Sequence, residues 1–148
     1  MRKLLVALAV LALAVATAPA FADDGGVKLG AALTGAAEAP GPGDPDASGT
    51  ASLRLNPGQG EVCFDISWAR VDGEVFAAHI HVAPAGAPGP IVVPLFTGSF
   101  GGTDSVSTCV EADRDLIRAI IQSPDAYYVN IHSRPNFPGG AVRGQLSK

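Results

Sequence analysis

Thr50-Ala51-Ser52-Leu53-Arg54-Leu55-Asn56-Pro57-Gly58-Gln59-Gly60-Glu61-Val62-Cys63-Phe64-Asp65-Ile66-Ser67-Trp68 is the stretch that decides the fold. Ala51, Leu53 and Leu55 alternate with Ser52 and Arg54. Val62, Phe64, Ile66 and Trp68 alternate with Cys63, Asp65 and Ser67. A period of two marks strands with one face buried. Between the two runs, Asn56 to Gly60 is turn chemistry, so the stretch reads as an antiparallel hairpin.

The same grammar extends in both directions. Upstream, Val27, Leu29, Ala31 and Leu33 share one face of a strand, followed by a long Ala, Pro, Gly and Asp loop from Gly35 to Gly49. Downstream comes Ala77-Ala78-His79-Ile80-His81-Val82, then the glycine and proline loop Pro84 to Pro90. Ile91 to Phe96 follows, and Pro94 marks it as an edge strand or one that ends early, because proline cannot donate to a ladder. Phe100 to Thr103 is a turn and Ser105 to Val110 a strand. One helix is expected over Asp113–Gln122, with Leu116, Ile117, Ile120 and Ile121 as its apolar stripe and Ser123-Pro124 as its stop. Strands over Tyr127–His132 and Ala141–Leu146 close the chain around the loop Ser133 to Gly140. About eight short strands, one short helix and no βαβ unit predict an all-β fold. It is an antiparallel, Greek-key-like β-sandwich or partly closed barrel.

Residues 1–22 stand apart. Arg2 and Lys3 precede the apolar run Leu4 to Val15, and Ala20-Phe21-Ala22 supplies a small-x-small cleavage pattern. This is the grammar of a secretory signal peptide cut after Ala22, leaving one domain over residues 23–148. The run is shorter than a membrane span requires, and no later segment is apolar enough to make one. The product is therefore expected to be exported, to the periplasm or beyond. Loss of Arg2 and Lys3 takes the formal net charge from −4 to about −6, which disfavours nucleic acid as a partner.

Cys63 and Cys109 are the only cysteines, and export makes a single disulfide their simplest use. Both lie on the less apolar face of their strands, so the bridge is expected to join two strands from outside the core. The loop it closes spans 46 residues.

The chain has three histidines. His79 and His81 project to the same side of one strand, opposite Ala78, Ile80 and Val82. His132 shares a face with Asn130 and Tyr128, opposite Tyr127, Val129 and Ile131. If the two strands are neighbours, three imidazoles converge off the core. His-x-His with a distant third histidine is ligand geometry for zinc or copper. The alternative is that the rings bond to backbone and to each other, closing one end of the sandwich. Asn130 and Arg143 are expected in a polar network near the histidines, with Glu74, Asp125 or the C-terminus as acidic partners for Arg143. Arg134 is expected on a surface loop. No serine lies in a nucleophile elbow, and Ser133 beside His132 points the opposite way, so no catalytic residue is assigned.

In order, Leu33-Thr34-Gly35-Ala36-Ala37-Glu38-Ala39-Pro40, Gly49-Thr50-Ala51, Ala78-His79-Ile80-His81-Val82-Ala83-Pro84-Ala85-Gly86, Gly89-Pro90-Ile91-Val92, Tyr128-Val129-Asn130-Ile131-His132-Ser133 and Pro138-Gly139-Gly140-Ala141-Val142-Arg143-Gly144-Gln145-Leu146 form a pattern. It resembles the chordin-type, or CHRD, domain over about Val27 to Leu146. The resemblance implies a secreted β-sandwich. Ala141 stands where the family's usual ending carries an acidic residue, so a salt bridge or ligand from that carboxylate is missing. The family's sandwich is also reminiscent of copper–zinc superoxide dismutase, whose strand carries a His-x-His pair. That enzyme's bridging histidine and aspartate have no counterpart here.

Two functions follow as expectations. One is a secreted, non-enzymatic structural or ligand-binding module for an extracellular protein or surface ligand, with no cofactor. The alternative is a copper- or zinc-binding protein centred on His79, His81 and His132, with dismutase-like redox activity as its extension.

Overall fold

A computed structural model describes residues 25–148. The expected signal peptide, residues 1–22, lies outside the described residues. Eight antiparallel strands follow one another: β1 (Val27–Thr34), β2 (Ser48–Asn56), β3 (Glu61–Ala69), β4 (Glu74–Val82), β5 (Ile91–Phe100), β6 (Asp104–Glu111), β7 (Tyr127–Arg134) and β8 (Val142–Gln145). One helix, α1 (Arg114–Gln122), lies between β6 and β7. Asp113 caps it, its Oδ1 accepting from the backbone N–H groups of Asp115 and Leu116, both at 2.9 Å. Ile117 and Ile120 seat the helix in the core against β2 and β3.

The strands form one sheet in the order β5-β4-β7-β8-β1-β2-β3-β6. The quoted hairpin is β2–β3, paired residue for residue from Ser48↔Ala69 to Asn56↔Glu61. The two ends of the order, β5 and β6, are consecutive in sequence and lie against each other, so the sheet curls into a nearly closed barrel. No ladder joins β5 to β6, and aromatic packing ties β5 to β3, the neighbour of β6. Trp68 on β3 stacks on Phe96 of β5 at 5.6 Å between ring centroids and meets Phe100 edge-on at 5.8 Å. Its indole N–H donates to the Gly101 carbonyl in the β5–β6 turn, at 2.9 Å. The crossings from β3 to β4 and from β6 through α1 to β7 make the topology Greek-key-like.

Several boundaries differ from expectation. β5 is an edge of the sheet order, as Pro94 requires, yet it continues through the proline to Phe100 because only one side of the strand has to pair. β8 is shorter than foreseen, since Ala141 and Leu146 bond into the sheet as flanking residues. Gly35 to Ala37 form a 3-10 turn at the start of the long loop. Arg134 ends β7 instead of lying in a loop. It is exposed, and its guanidinium donates to Glu74 at 2.6 Å.

Cys63 and Cys109 face each other directly across β3 and β6 and are joined by a disulfide, on the outer face as expected. For a 46-residue closure, chain-entropy arithmetic gives about 4 kcal/mol of stabilisation. The Cys63→Ser, Cys109→Ser double variant is accordingly expected to keep its β-sheet circular dichroism while its urea-unfolding free energy falls by about that amount.

Candidate metal centre

β4 and β7 are hydrogen-bonded neighbours, which is what convergence of the histidines requires. A bulge at Phe76 resets the phase of β4, so Val75 is a core residue before it and Ala78 and Ile80 are core residues after it. His79 and His81 are thereby turned to the outer face. His79 pairs with Asn130 and Ala77 with His132, which makes His79 and His132 diagonal neighbours. His79 Nδ1 lies 3.0 Å from His132 Nε2. One nitrogen from each of the three rings lies within 4.8 Å of the others.

This outer face is not a solvated one. His81 and His132 are each only 7% exposed, and β7 is buried along both faces from Tyr127 to Ser133. The segments 83–90 and 135–141 cover it, and each supplies a backbone carbonyl to a histidine. His81 Nδ1 bonds to the Gly89 carbonyl at 2.8 Å, and His132 Nδ1 to the Pro138 carbonyl at 3.0 Å. A carbonyl only accepts, so both rings carry their proton on Nδ1 and present a bare Nε2. His132 Nε2 then accepts from His79 Nδ1–H. His81 Nε2 is buried and has no partner among the described residues.

The electrostatics keep all three rings neutral. Burial, reinforced by the neighbouring histidines, lowers the pKa of His79 from 6.5 to about 4. Burial also lowers His81 and His132, although their carbonyl bonds oppose the shift. Neutral imidazole is the form that binds metal.

Arg143 organises the cover. It is 1% exposed and donates to the carbonyls of Ala87 at 2.8 Å and Pro84 at 2.9 Å, and to Gln145 Oε1 at 3.1 Å. Its guanidinium lies over the Tyr128 ring, 3.4 Å from the centroid, and Tyr128 stacks on His81 at 4.8 Å. The Tyr128 hydroxyl accepts from Gly89 N–H, and Gln145 donates to the Ala83 carbonyl. Arg143, Tyr128 and Gln145 therefore fix the segment whose Gly89 carbonyl orients His81.

None of the acidic partners foreseen for Arg143 reaches it. Glu74 is taken by Arg134, and Asp125 bonds to Gln145 only through its backbone carbonyl. The carboxyl that feels the Arg143 charge is Glu38. Burial raises Glu38 to about 7, and Arg143 partly offsets that shift. Glu38 lies in a cleft of about 260 Å³ between residues 38–42 and 136–140, with Pro138 in its wall. Gly140 is required there, because a Cβ would stand 2.5 Å from the Glu38 carboxyl and φ is +145°.

The expected residues are thus assembled: His79, His81 and His132 in one cluster, Asn130 directly beside it and Arg143 one ring away. A second cluster, Glu61 with Cys63 and Cys109, offers no thiolate because the cysteines are bridged. The carbonyls of Gly89 and Pro138 were not foreseen, since backbone acceptors in loops leave no mark in side-chain type. Gln145 had a signal, its alternation with Val142, Gly144 and Leu146, that placed it on the Arg143 face.

Residues 29–146, nearly all of the described chain, match the CHRD domain family. The chain belongs to the CHRD domain family. No curated protein and no solved structure matches it. Within this CHRD domain, the ordered segments of the family pattern meet at one place: the His-x-His strand, the Pro-Gly loop that follows it, the β7 histidine and the arginine of β8.

Two outcomes test this arrangement. Arg143→Ala leaves the carbonyls of Pro84 and Ala87 without donors, so it is expected to lower unfolding free energy by about 3 kcal/mol in urea melts. Arg143→Lys should not restore it, because an ammonium cannot span the same acceptors or stack on Tyr128. The pH dependence divides by sign. His79, with its folded pKa depressed, contributes stability that is full above pH 6.5 and is lost as pH falls toward about 4. Glu38, raised to about 7, contributes stability that is full below pH 4.5 and is lost as pH rises through about 7. In a Glu38→Gln background the metal-free protein is therefore expected to gain stability steadily from about pH 4 to 6.5, and His79→Gln should flatten that slope.

Proposed function

We propose that this CHRD domain is an exported metal-binding module that holds one copper or zinc ion on His79 Nδ1, His81 Nε2 and His132 Nε2. The observation that carries the reading is the aiming of the donors. Two backbone carbonyls commit His81 and His132 to the tautomer with a free Nε2, and the third ring stands 3.0 Å from one of those nitrogens. Such outer bonds are what orient metal-ligating histidines.

The spacing fits. Zinc at about 2.0–2.1 Å from each imidazole nitrogen sets the nitrogens roughly 3.3–3.5 Å apart. His79 and His132 are slightly inside that spacing, and His81 is within 4.8 Å of both, so a small side-chain adjustment closes the set. For an ion to bind there, the single ring proton of neutral His79 shifts from Nδ1 to Nε2 by exchange with water, which frees Nδ1 as a ligand. Three imidazoles with no thiolate or carboxylate suit zinc and copper, and copper(II) binds such donors more tightly. The signal-peptide grammar of residues 1–22 supports export, and among the described residues no helix is long and apolar enough to cross a membrane. The chain's three histidines are all used in one set, which leaves none for a bridged second ion, so dismutation is no part of the reading.

The test is elemental analysis and calorimetric titration of protein carrying no histidine tag. One equivalent of copper or zinc is expected, with a rise in unfolding free energy of about 2.7 kcal/mol at a free-metal concentration 100 times the dissociation constant. The His79→Gln, His81→Gln, His132→Gln triple variant should keep its circular dichroism spectrum and lose the metal. Binding below one equivalent, or binding that survives in the folded triple variant, would overturn the reading.

A further inference from the structure

Two buried polar atoms without partners among the described residues stand together at the histidine cluster: His81 Nε2 and Asn130 Oδ1. Asn130 is directly opposite His79 in the β4–β7 ladder, and its side chain is near enough to the His81 ring to favour that ring's charged form. With the His81 proton committed to Gly89, Nε2 offers only a lone pair. Asn130 Oδ1 also only accepts. With the amide placed as it is, two acceptors share one desolvated corner, and in the metal-free protein only a turned Asn130 amide, donating Nδ2–H to His81 Nε2, would supply a donor.

A bare ion answers His81 Nε2 and leaves Asn130 unanswered. A water on that ion answers both, because it donates a proton to Asn130 Oδ1 while its oxygen binds the metal. Among the described residues no carboxylate or thiolate joins the three nitrogens, so none of their acidic side chains fills the fourth position. Three protein ligands with an open position distinguish reactive zinc sites from closed structural ones. Half-exposed His79 leaves a side of the cluster open to solvent, whereas His81 and His132 are covered.

We infer that the site is of the open kind. Its ion keeps one solvent-derived ligand, positioned by Asn130 and exchangeable for a small monodentate anion of the azide or carboxylate class. The inference rests on the metal reading above and goes beyond it.

Cobalt(II) is the probe, because its visible spectrum reports both occupancy and the fourth ligand. The untagged protein should develop a four-coordinate cobalt spectrum that is absent in the triple histidine variant. Azide, and separately acetate, should then shift that spectrum with one-to-one saturation. Asn130→Ala should raise azide affinity roughly three- to ten-fold, since the displaced water no longer gives up a hydrogen bond. Asn130→Asp, which keeps an acceptor, should not. A cobalt spectrum that depends on the histidines but ignores both anions overturns the open site and leaves the metal reading standing. Absence of any cobalt spectrum overturns both. A loss of cobalt affinity in Asn130→Ala with unchanged azide affinity assigns the amide to holding His81 and overturns its place beside the fourth ligand.

Discussion

The buried guanidinium of Arg143 is the constraint on which the histidine face depends. A charge held at 1% exposure needs hydrogen bonds on its donors, and Arg143 finds them in the carbonyls of Pro84 and Ala87 and in Gln145. Meeting that need draws the 83–90 segment down over the outer face of β4, β7 and β8. Once there, Gly89 offers its N–H to Tyr128 and its carbonyl to His81. The desolvation that lowers the histidine pKa values follows from the same covering. One side chain thus accounts for the placement of the loop, the tautomer of His81 and part of its neutrality.

The barrel beneath is held by different means on its two sides. Around β7 and β8 the sheet is layered, with apolar side chains inside and a hydrogen-bonded polar layer outside. At the opposite side, β3 and β6 are crossed by the Cys63–Cys109 bridge on an exposed face. Where β5 meets β6 no ladder forms, and aromatic stacking ties β5 to β3 instead. Trp68 links these two devices, since it lies on the bridged strand and packs on the strand across the seam. A rigid wall on that side leaves the covered face of β4 and β7 as the place where two loops and two strands set side-chain geometry.

Much of this was legible in the sequence because period-two alternation is local. Val62, Phe64, Ile66 and Trp68 declare their face without reference to the rest of the chain, and so do Ala78, Ile80 and Val82 against His79 and His81. Strand neighbours are not local, and adjacency of β4 and β7, on which the cluster depends, could only be posed as a condition. The bulge at Phe76 was invisible because Val75, Ala77 and Ala78 are all apolar and admit either phase. Arg143 was misjudged for a related reason. A strand residue opposite the core face normally meets solvent and seeks a surface carboxylate, whereas here a second layer covers it and its partners are carbonyls, whose presence no residue type announces.

Under the metal reading proposed above, the same charge bears on which ion the site would hold. Arg143 lies on one face of Tyr128 and His81 stacks on that ring, so a fixed positive charge stands behind the second ligand. That charge helps keep His81 neutral, and it also opposes an added dication. Three neutral imidazoles do nothing to offset that repulsion. Glu38, the carboxyl that does feel Arg143, holds a proton up to about pH 7 and so provides only partial compensation. A dication at this position therefore gains most when its remaining ligand brings negative charge with it, and a monovalent ion such as copper(I) suffers least when it does not. Under the metal reading proposed above, the described residues leave that last charge to a ligand from outside their number, as a three-histidine set backed by a buried arginine would require.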